Sequence, residues 1–124
     1  MFSPYFFPIN QFRRTKIRFV SAGVATEYVD DVGVKTGLLH KVFRLGVENL
    51  TSAFTRFRFG VWNGSAFHIL GEQKSPAAAT VYSIVDPFLL LEEERLRIEL
   101  VGCVANDVIN IYIDEFYKDI YNYD

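Results

Sequence analysis

The residues able to perform nucleophilic, acid-base or metal chemistry are few and scattered in this chain. Neither His40 nor His68 stands in a short ligand-spaced group with Cys, Asp or Glu. Cys103, the single cysteine, has no histidine and acid close to it in sequence. No nucleophile elbow, phosphate-cradling glycine loop or zinc-protease motif occurs. We therefore expect no catalytic residue, no metal and no cofactor, and we predict that the protein is not an enzyme.

A second group of residues has the chemistry of a stacking surface. Arg56, Arg58 and Trp62 fall on one side of a predicted strand, and Tyr82 is predicted to point away from the core of another. An exposed aromatic ring flanked by basic groups can stack on a sugar, so a glycan is one candidate ligand. The alternative, which we prefer, is that these rings cover the second face of a sheet beneath a terminal arm or a neighbouring subunit.

The third kind of chemistry is apolar association at the two ends of the chain. Residues 1–12 contain five aromatic residues and two prolines, and the prolines prevent this segment from pairing as a central strand. Residues 115–124 form a second aromatic segment. Exposing so much aromatic surface is unfavourable at about 25 cal/mol per Å2, so both arms should cover an apolar surface. The predicted oligomer or partner interface consists of Phe2, Tyr5, Phe6, Phe7, Phe12, Phe116, Tyr117, Tyr121 and Tyr123.

Length and charge limit the classes of partner. With 124 residues the chain is predicted to form one domain, 1–124, that needs no disulfide or metal staple. A net charge of −2 provides no basic field, so we expect no nucleic acid partner and no membrane partner. The opening is interrupted by Pro4 and Pro8 and lacks a basic region, so we predict no signal peptide and, outside a virion, a cytoplasmic location.

The elements that must position these residues are predicted to be strands. The chain is rich in Phe and Tyr, and about eight alternating segments are separated by turn signals, with no long helix. We predict an all-β, antiparallel β-sandwich of the jelly-roll kind with N- and C-terminal arms. A helical turn over residues 88–94 remains an alternative to a bend.

The segment Arg95 to Asp114 is predicted to be a central β-hairpin that turns at Asn106-Asp107. Its register places Leu100 opposite Ile113 and Val104 opposite Ile109, with Cys103 outside the core. The apolar residues of both arms then share one buried face: Leu96, Ile98, Leu100, Ile109, Ile111 and Ile113. The same register brings Glu99 beside Asp114, a like-charge pair that should disturb the pairing locally.

Two further segments have clear alternation. Residues 41–47 should bury Phe43, Leu45 and Val47, and residues 54–62 should bury Phe57, Phe59 and Val61. Asn63-Gly64 predicts a hairpin after the second segment. A glycine bulge there would bury Phe67 and Ile69 and leave His68 outside, and we favour it over a strict two-residue turn.

Considered together, the Pro-broken aromatic arm MFSPYFFPINQF, the segment ERLRIELVGCVANDVINIYI and the tail EFYKDIYNYD resemble small accessory proteins of bacteriophage virions. Within that group they resemble jelly-roll-like capsid decoration (cement) proteins in particular. The resemblance implies a homo-oligomer, with a trimer favoured, that binds a capsid or tail protein lattice, and it assigns no role to individual residues. Symmetric assembly gives each arm a second copy of the same surface to cover.

The sequence therefore predicts a non-enzymatic structural or binding protein located on a virion. A carbohydrate-binding module that uses Trp62 and Tyr82 is the alternative. A cupin-like enzyme is the third hypothesis, and it would require a bound metal.

Overall fold

The computed structural model describes residues 11–119, which form nine strands and no helix. The strands are β1 (Gln11–Val20), β2 (Thr26–Asp30), β3 (Leu38–Asn49), β4 (Arg56–Trp62), β5 (Phe67–Lys74), β6 (Tyr82–Ile84), β7 (Phe88–Leu90), β8 (Arg95–Val101) and β9 (Val108–Asp119). The first ten residues and the last five, which include most of the predicted arm positions, lie outside the described residues.

The strands form two antiparallel sheets in the order β1-β9-β3-β6, with β7 also on β3, and β2-β8-β4-β5. Their pairing is nested: β4 pairs with β5, β3 with β6 and β7, β2 with β8, and β1 with β9. A long hairpin folded over on itself in this way is a jelly roll, so the predicted fold class is confirmed. The predicted number of strands was one too low because Phe88–Leu90, predicted to be a bend or a helical turn, is the strand β7. β6 and β7 are separated by Asp86-Pro87 and pair with different parts of β3.

The core lies between the two sheets, and the strongest alternating segments face it as predicted. Leu96, Ile98 and Leu100 on β8 are fully buried, and so are the three isoleucines of β9. Phe57 and Phe59 on β4 are buried against them. Burial of these large side chains drives the two sheets together.

The predicted hairpin between β8 and β9 is wrong, because the two strands belong to different sheets. β8 lies between β2 and β4, whereas β9 lies between β1 and β3. Residues 102–107 cross from one sheet to the other, and Asn106 takes a positive φ of 73° in that turn. Val104, which the hairpin register placed on the buried face, is exposed in this crossing. Glu99 and Asp114 are therefore not neighbours, and each instead accepts a 2.7 Å hydrogen bond from an arginine, Arg58 and Arg14 respectively.

Three other predictions about local structure are wrong. A β-bulge between Val42 and Arg44 turns Phe43 to the outer face, while Leu45 and Val47 face the core as expected. Phe67 pairs with Trp62 on the outer face and Ile69 is exposed, so neither is buried, although His68 is exposed as expected. The helical turn over 88–94 does not form, since Phe88–Leu90 is a strand.

Cys103 also differs from its predicted outward position. It is 6% exposed and belongs to the core cluster, with its Sγ 3.9 Å from Nδ2 of Asn49. The chain crossing between the sheets turns this side chain inward, which the hairpin register did not allow.

Candidate functional site

The candidate site lies at the end of the five-stranded sheet where β1 begins, β9 ends and β3 begins. Gln11 pairs with Tyr117, and Leu38 pairs with Asp119. The predicted N-terminal arm is corrected here, because residues 11 and 12 already belong to β1. Residues 115–119 of the predicted tail likewise continue β9 as a strand. Both ends of the described chain therefore lie at this one end of the sheet.

Three phenylalanines, Phe12, Phe43 and Phe116, form what we call the aromatic patch on the outer face of this end. The rings of Phe43 and Phe116 stack with centroids 4.7 Å apart, and Phe12 lies 6.0 Å from Phe43 and 6.1 Å from Phe116. Phe12 is 52% exposed and Phe116 is 40% exposed. Sequence analysis identified Phe12 and Phe116 but missed Phe43, whose outward position depends on the bulge.

Charged side chains border the aromatic patch. Arg14 donates two hydrogen bonds to Asp114, at 2.7 and 3.1 Å, and its guanidinium lies 5.5 Å from the centre of the Phe12 ring. The hydrogen bonds to Asp114 raise the pKa of Arg14 above its ordinary value. Arg44 reaches the same carboxylate at 3.9 Å. An apolar centre with a polar rim is the usual arrangement of a protein interface.

Directly beneath the aromatic patch, the inward-facing positions of β1, β3 and β9 carry the ionisable residues Arg13, His40 and Glu115. Asp31, which follows β2 of the other sheet, lies beside them. These four residues, here called the polar layer, occupy the space where hydrophobic residues fill the rest of the sandwich; Asp31, His40 and Glu115 are buried, and Arg13 is partly exposed. Nδ1 of His40 lies 2.8 Å from Oε1 of Glu115, and Nε of Arg13 lies 3.6 Å from Oε2. Nη2 of Arg13 also donates to Asp31 at 3.3 Å. Burial raises the pKa of Asp31, and the nearby Arg13 charge only partly offsets this effect.

Tyr117 was predicted as an interface residue, but it faces this interior. Its ring packs on the His40 ring at 5.5 Å, and both residues line a cavity of about 180 Å3 beside Arg13. The remaining predicted interface residues, Phe2, Tyr5, Phe6, Phe7, Tyr121 and Tyr123, lie outside the described residues.

The predicted ligand face is only partly assembled. Arg56, Arg58 and Trp62 share the outer face of the four-stranded sheet, whereas Tyr82 belongs to the other sheet and packs against the core near Phe57. The inward position of Tyr82 corrects the prediction that it points away from the core.

Tyr28 and Phe67 join Trp62 around Arg97 instead, and sequence analysis missed both. The guanidinium of Arg97 lies 3.9 Å from the centre of the Trp62 ring and 4.9 Å from that of Tyr28, and Asp30 holds it with two hydrogen bonds. These hydrogen bonds raise the pKa of Arg97 above its ordinary value. The outer face of this sheet therefore carries aromatic rings around a fixed arginine.

Within residues 11–119, no three His, Cys, Asp or Glu side chains are grouped so that they could hold a metal ion. This part of the chain also contains no helix long and apolar enough to cross a membrane.

No protein-family model matches the sequence, and no curated protein matches it significantly. Among solved structures, a subunit described under "Bacillus endospore appendages form a novel family of disulfide-linked pili" is similar in fold. The identity is 8%, the TM-score is 0.52, and the match covers 90% of this chain and 88% of that one.

Two other structures are less similar. Dimeric latent PorU from Porphyromonas gingivalis matches with a TM-score of 0.48 and 12% identity, over 90% of this chain and 13% of PorU. A structure described under "CBM4 structure and function" matches with a TM-score of 0.36 and 12% identity, over 84% of this chain and 82% of that one. The likeness to the appendage subunit concerns the fold alone.

Proposed function

We propose that this protein is a non-enzymatic structural subunit that assembles with copies of itself through one end of its sandwich. The interface, which we call the aromatic end, consists of the aromatic patch and residues 1–10. The observation that carries the proposal is the inverted polarity there, since phenylalanines face outward over a largely buried layer of polar side chains.

The outward-facing phenylalanines and the polar layer beneath them are both unfavourable for an isolated sandwich. Exposed aromatic surface forgoes about 25 cal/mol per Å2 of stabilisation. Removing charges from water costs several kcal/mol per ion, and pairing offsets this cost only partly. Positions where a sequence departs from the rules of stable packing tend to be functional. A partner that covers the aromatic patch would bury its exposed rings and so recover the stabilisation that an isolated sandwich lacks.

The size of the aromatic arm suits an interface. Phe2, Tyr5, Phe6 and Phe7 would each bury roughly 150–250 Å2, or roughly 600–1,000 Å2 together. One partner in an interface of standard size contributes about 800 Å2. The arm alone therefore supplies enough apolar surface for a specific contact.

A narrower form of the proposal follows the resemblance to phage accessory proteins. In this form the subunit is a homo-oligomer, with a trimer favoured, that is located on a virion and binds a capsid or tail lattice. An extracellular appendage built from repeated sandwiches is the other assembly that suits this fold. The structural neighbour is described as disulfide-linked, whereas the only cysteine of this chain is buried, so here assembly would depend on apolar contacts.

The proposal is tested by replacing Phe12 and Phe116 with serine in the full chain and measuring mass by light scattering. We expect a lower mass with unchanged circular dichroism, because both side chains are exposed in a single copy. Val104→Ser, which removes an apolar side chain that is 57% exposed in the crossing between the sheets, serves as the control and should keep the wild-type mass. An unchanged mass in the Phe12→Ser/Phe116→Ser variant would contradict the proposal.

A second candidate function is glycan binding on the outer face of the four-stranded sheet. The grouping of Trp62, Tyr28 and Phe67 around Arg97 favours it, because ring faces beside fixed hydrogen-bond donors can hold a sugar. Binding on a glycan array that is lost in Trp62→Ala would support this function. Absence of binding across the array would count against it.

A further inference from the structure

A small cavity lies beside the polar layer, where β1, β3 and β9 meet the connection between β2 and β3. Its lining includes Arg13, Val32, Lys35, Leu38, His40 and Tyr117. A cavity of about 150 Å3 is enough for a benzene ring, so a volume of about 180 Å3 leaves room for a small organic molecule. The lining contains three basic side chains, and none of the described residues in it is acidic. We therefore call it the basic cavity.

One polar atom on the wall of the basic cavity lacks a partner within the described residues. The His40 side chain is 8% exposed, and its Nδ1 lies 2.8 Å from Oε1 of Glu115. The other ring nitrogen of His40, Nε2, makes no hydrogen bond with residues 11–119. Because buried polar atoms are nearly always hydrogen-bonded, we expect an occupant of the cavity to bind Nε2.

Arg13 and Lys35 add two cationic groups that have unused hydrogen-bond donors. Nε of Arg13 donates to Oγ1 of Thr15 at 3.0 Å, and its Nη2 donates to Asp31 at 3.3 Å. Neither of these hydrogen bonds uses Nη1 of Arg13. The exposed Lys35 side chain has no ion-pair partner in the part of the chain that the structure describes. Two cations and the His40 ring therefore border one small space.

The balance of charge around the basic cavity also favours an anion. Asp31 and Glu115 supply two negative charges, and both contact lining residues without lining the cavity themselves. Arg13, Lys35 and a protonated His40 supply three positive charges, so one bound monoanion makes the group neutral. Histidine gains or loses its charge near neutral pH, so the His40 ring can take up this proton as the anion binds.

We infer that the basic cavity binds a small carboxylate that carries a short apolar chain. The carboxylate accepts hydrogen bonds from Nη1 of Arg13, Nζ of Lys35 and Nε2 of the protonated His40 ring, and such charge-assisted bonds are stronger than neutral ones. Leu38 and the ring of Tyr117 provide an apolar wall for the chain, for which inorganic phosphate has no counterpart. The inference goes beyond the proposed function and does not depend on self-assembly.

Butyrate, added to the full-length protein in a buffer without other carboxylates or phosphate, is the probe that tests this inference. The chain has two histidines, so NMR of the nitrogen-labelled imidazole rings reports on the cavity, with the exposed His68 as an internal reference. His68→Gln identifies which signals belong to His40. We expect butyrate to shift the His40 signals saturably toward those of a protonated ring and to leave His68 unchanged. Butyramide, which has nearly the same shape but no charge, should leave both rings unchanged.

Two matched variants show whether the lining of the cavity holds the anion. Lys35→Gln removes one cation from the lining, and we expect it to weaken butyrate binding by about two- to fivefold. Lys41→Gln removes the same charge from the outer face of β3, one residue from His40, and should leave the affinity for butyrate unchanged. Both lysines are exposed, so neither variant should disturb folding.

Butyrate that leaves the His40 signals unshifted, or that shifts His68 equally, would overturn the inference. Equal losses of affinity in Lys35→Gln and Lys41→Gln would also overturn it, because they would indicate a general attraction between charges. A His40 shift that inorganic phosphate produces and butyrate does not would rule out a carboxylate as the ligand. None of these results depends on the mass of the assembly, so the proposed function is tested separately.

Discussion

Arg13 and Glu115 face each other across the pairing of β1 with β9, and Nε of Arg13 lies 3.6 Å from Oε2 of Glu115 inside the sandwich. The residues that follow them, Arg14 and Phe116, point outward from the same strands. This alternation produces both the polar layer and the aromatic patch. The buried charges therefore have structural consequences that can be measured separately from assembly.

Glu115→Ala should strongly destabilise the fold. The Glu115 side chain is 1% exposed and lies 2.8 Å from Nδ1 of His40, so its removal leaves the buried His40 ring without this partner, whereas Arg13 keeps its hydrogen bond to Asp31. Loss of one member of a buried pair costs about 3–5 kcal/mol in free energy of unfolding. Glu72→Ala removes a surface pair with Arg56 and should cost less than about 1 kcal/mol. Urea denaturation at one protein concentration compares the two, and equal losses would contradict the structural role of the polar layer.

Ile111→Ala tests the opposed faces of β8 and β9. Ile111 is fully buried between the sheets, so truncation should lower the free energy of unfolding by about 2–5 kcal/mol. Val104→Ala, at an exposed side chain in the crossing between the sheets, should change it by less than about 0.5 kcal/mol. A small loss in Ile111→Ala would mean that β9 does not face the core.

The carboxylate of Asp107 fixes the crossing that joins β8 to β9. It accepts hydrogen bonds from Asn49, Ser52 and the backbone N–H of Val104, at 3.0, 2.8 and 2.8 Å. Burial alone would raise the pKa of Asp107, but these hydrogen bonds outweigh burial and lower it below 3.8. Its contribution to stability is therefore present above about pH 3.8 and is lost as the pH falls through the lower, folded pKa.

Asp107→Asn should accordingly be less stable than the wild type at neutral pH, and the difference should shrink in acid. Urea denaturation from neutral pH to about pH 2 measures this difference. Asp86→Asn removes the same charge from an exposed residue and serves as the control. A difference between Asp107→Asn and the wild type that stays constant across the pH range would contradict the assignment.

Cys103 should be unreactive in the folded protein. Burial, followed by the charges of Asp107 and Glu27, raises the pKa of its thiol to about 11, so little thiolate is present near neutral pH. Iodoacetamide at about pH 8 should label the unfolded chain readily and the native chain very slowly. Stoichiometric labelling of the native chain within minutes would show that the thiol is accessible. Because the cysteine is buried, a reducing agent should also leave the mass of the assembly unchanged.

Much of the fold could be predicted because alternation reports which face of a strand is buried. Ile98 and Ile111 face the core whether their strands pair in one sheet or oppose each other across the sandwich. The periodicity therefore could not distinguish a hairpin from a crossing between sheets. That choice depends on the other partners of β8 and β9, which are distant in sequence.

The candidate site was only partly predictable for a related reason. The pattern of the termini identified Phe12 and Phe116, but one bulged residue in β3 moved Phe43 to the outer face and completed the aromatic patch. A bulge reverses parity without a distinct sequence signal at this position. Tyr82 was misplaced because a three-residue strand alternates too briefly to show which side is buried.

The most direct test of the central claim is the mass in solution of the full chain, compared with a variant in which Phe2, Tyr5, Phe6 and Phe7 are all serine. If the aromatic end drives assembly, light scattering should give a multiple of 14.3 kDa for the wild type and the mass of a single copy for the folded variant. A wild-type chain that stays at 14.3 kDa at every concentration, or a variant with the same mass as an oligomeric wild type, would contradict the claim.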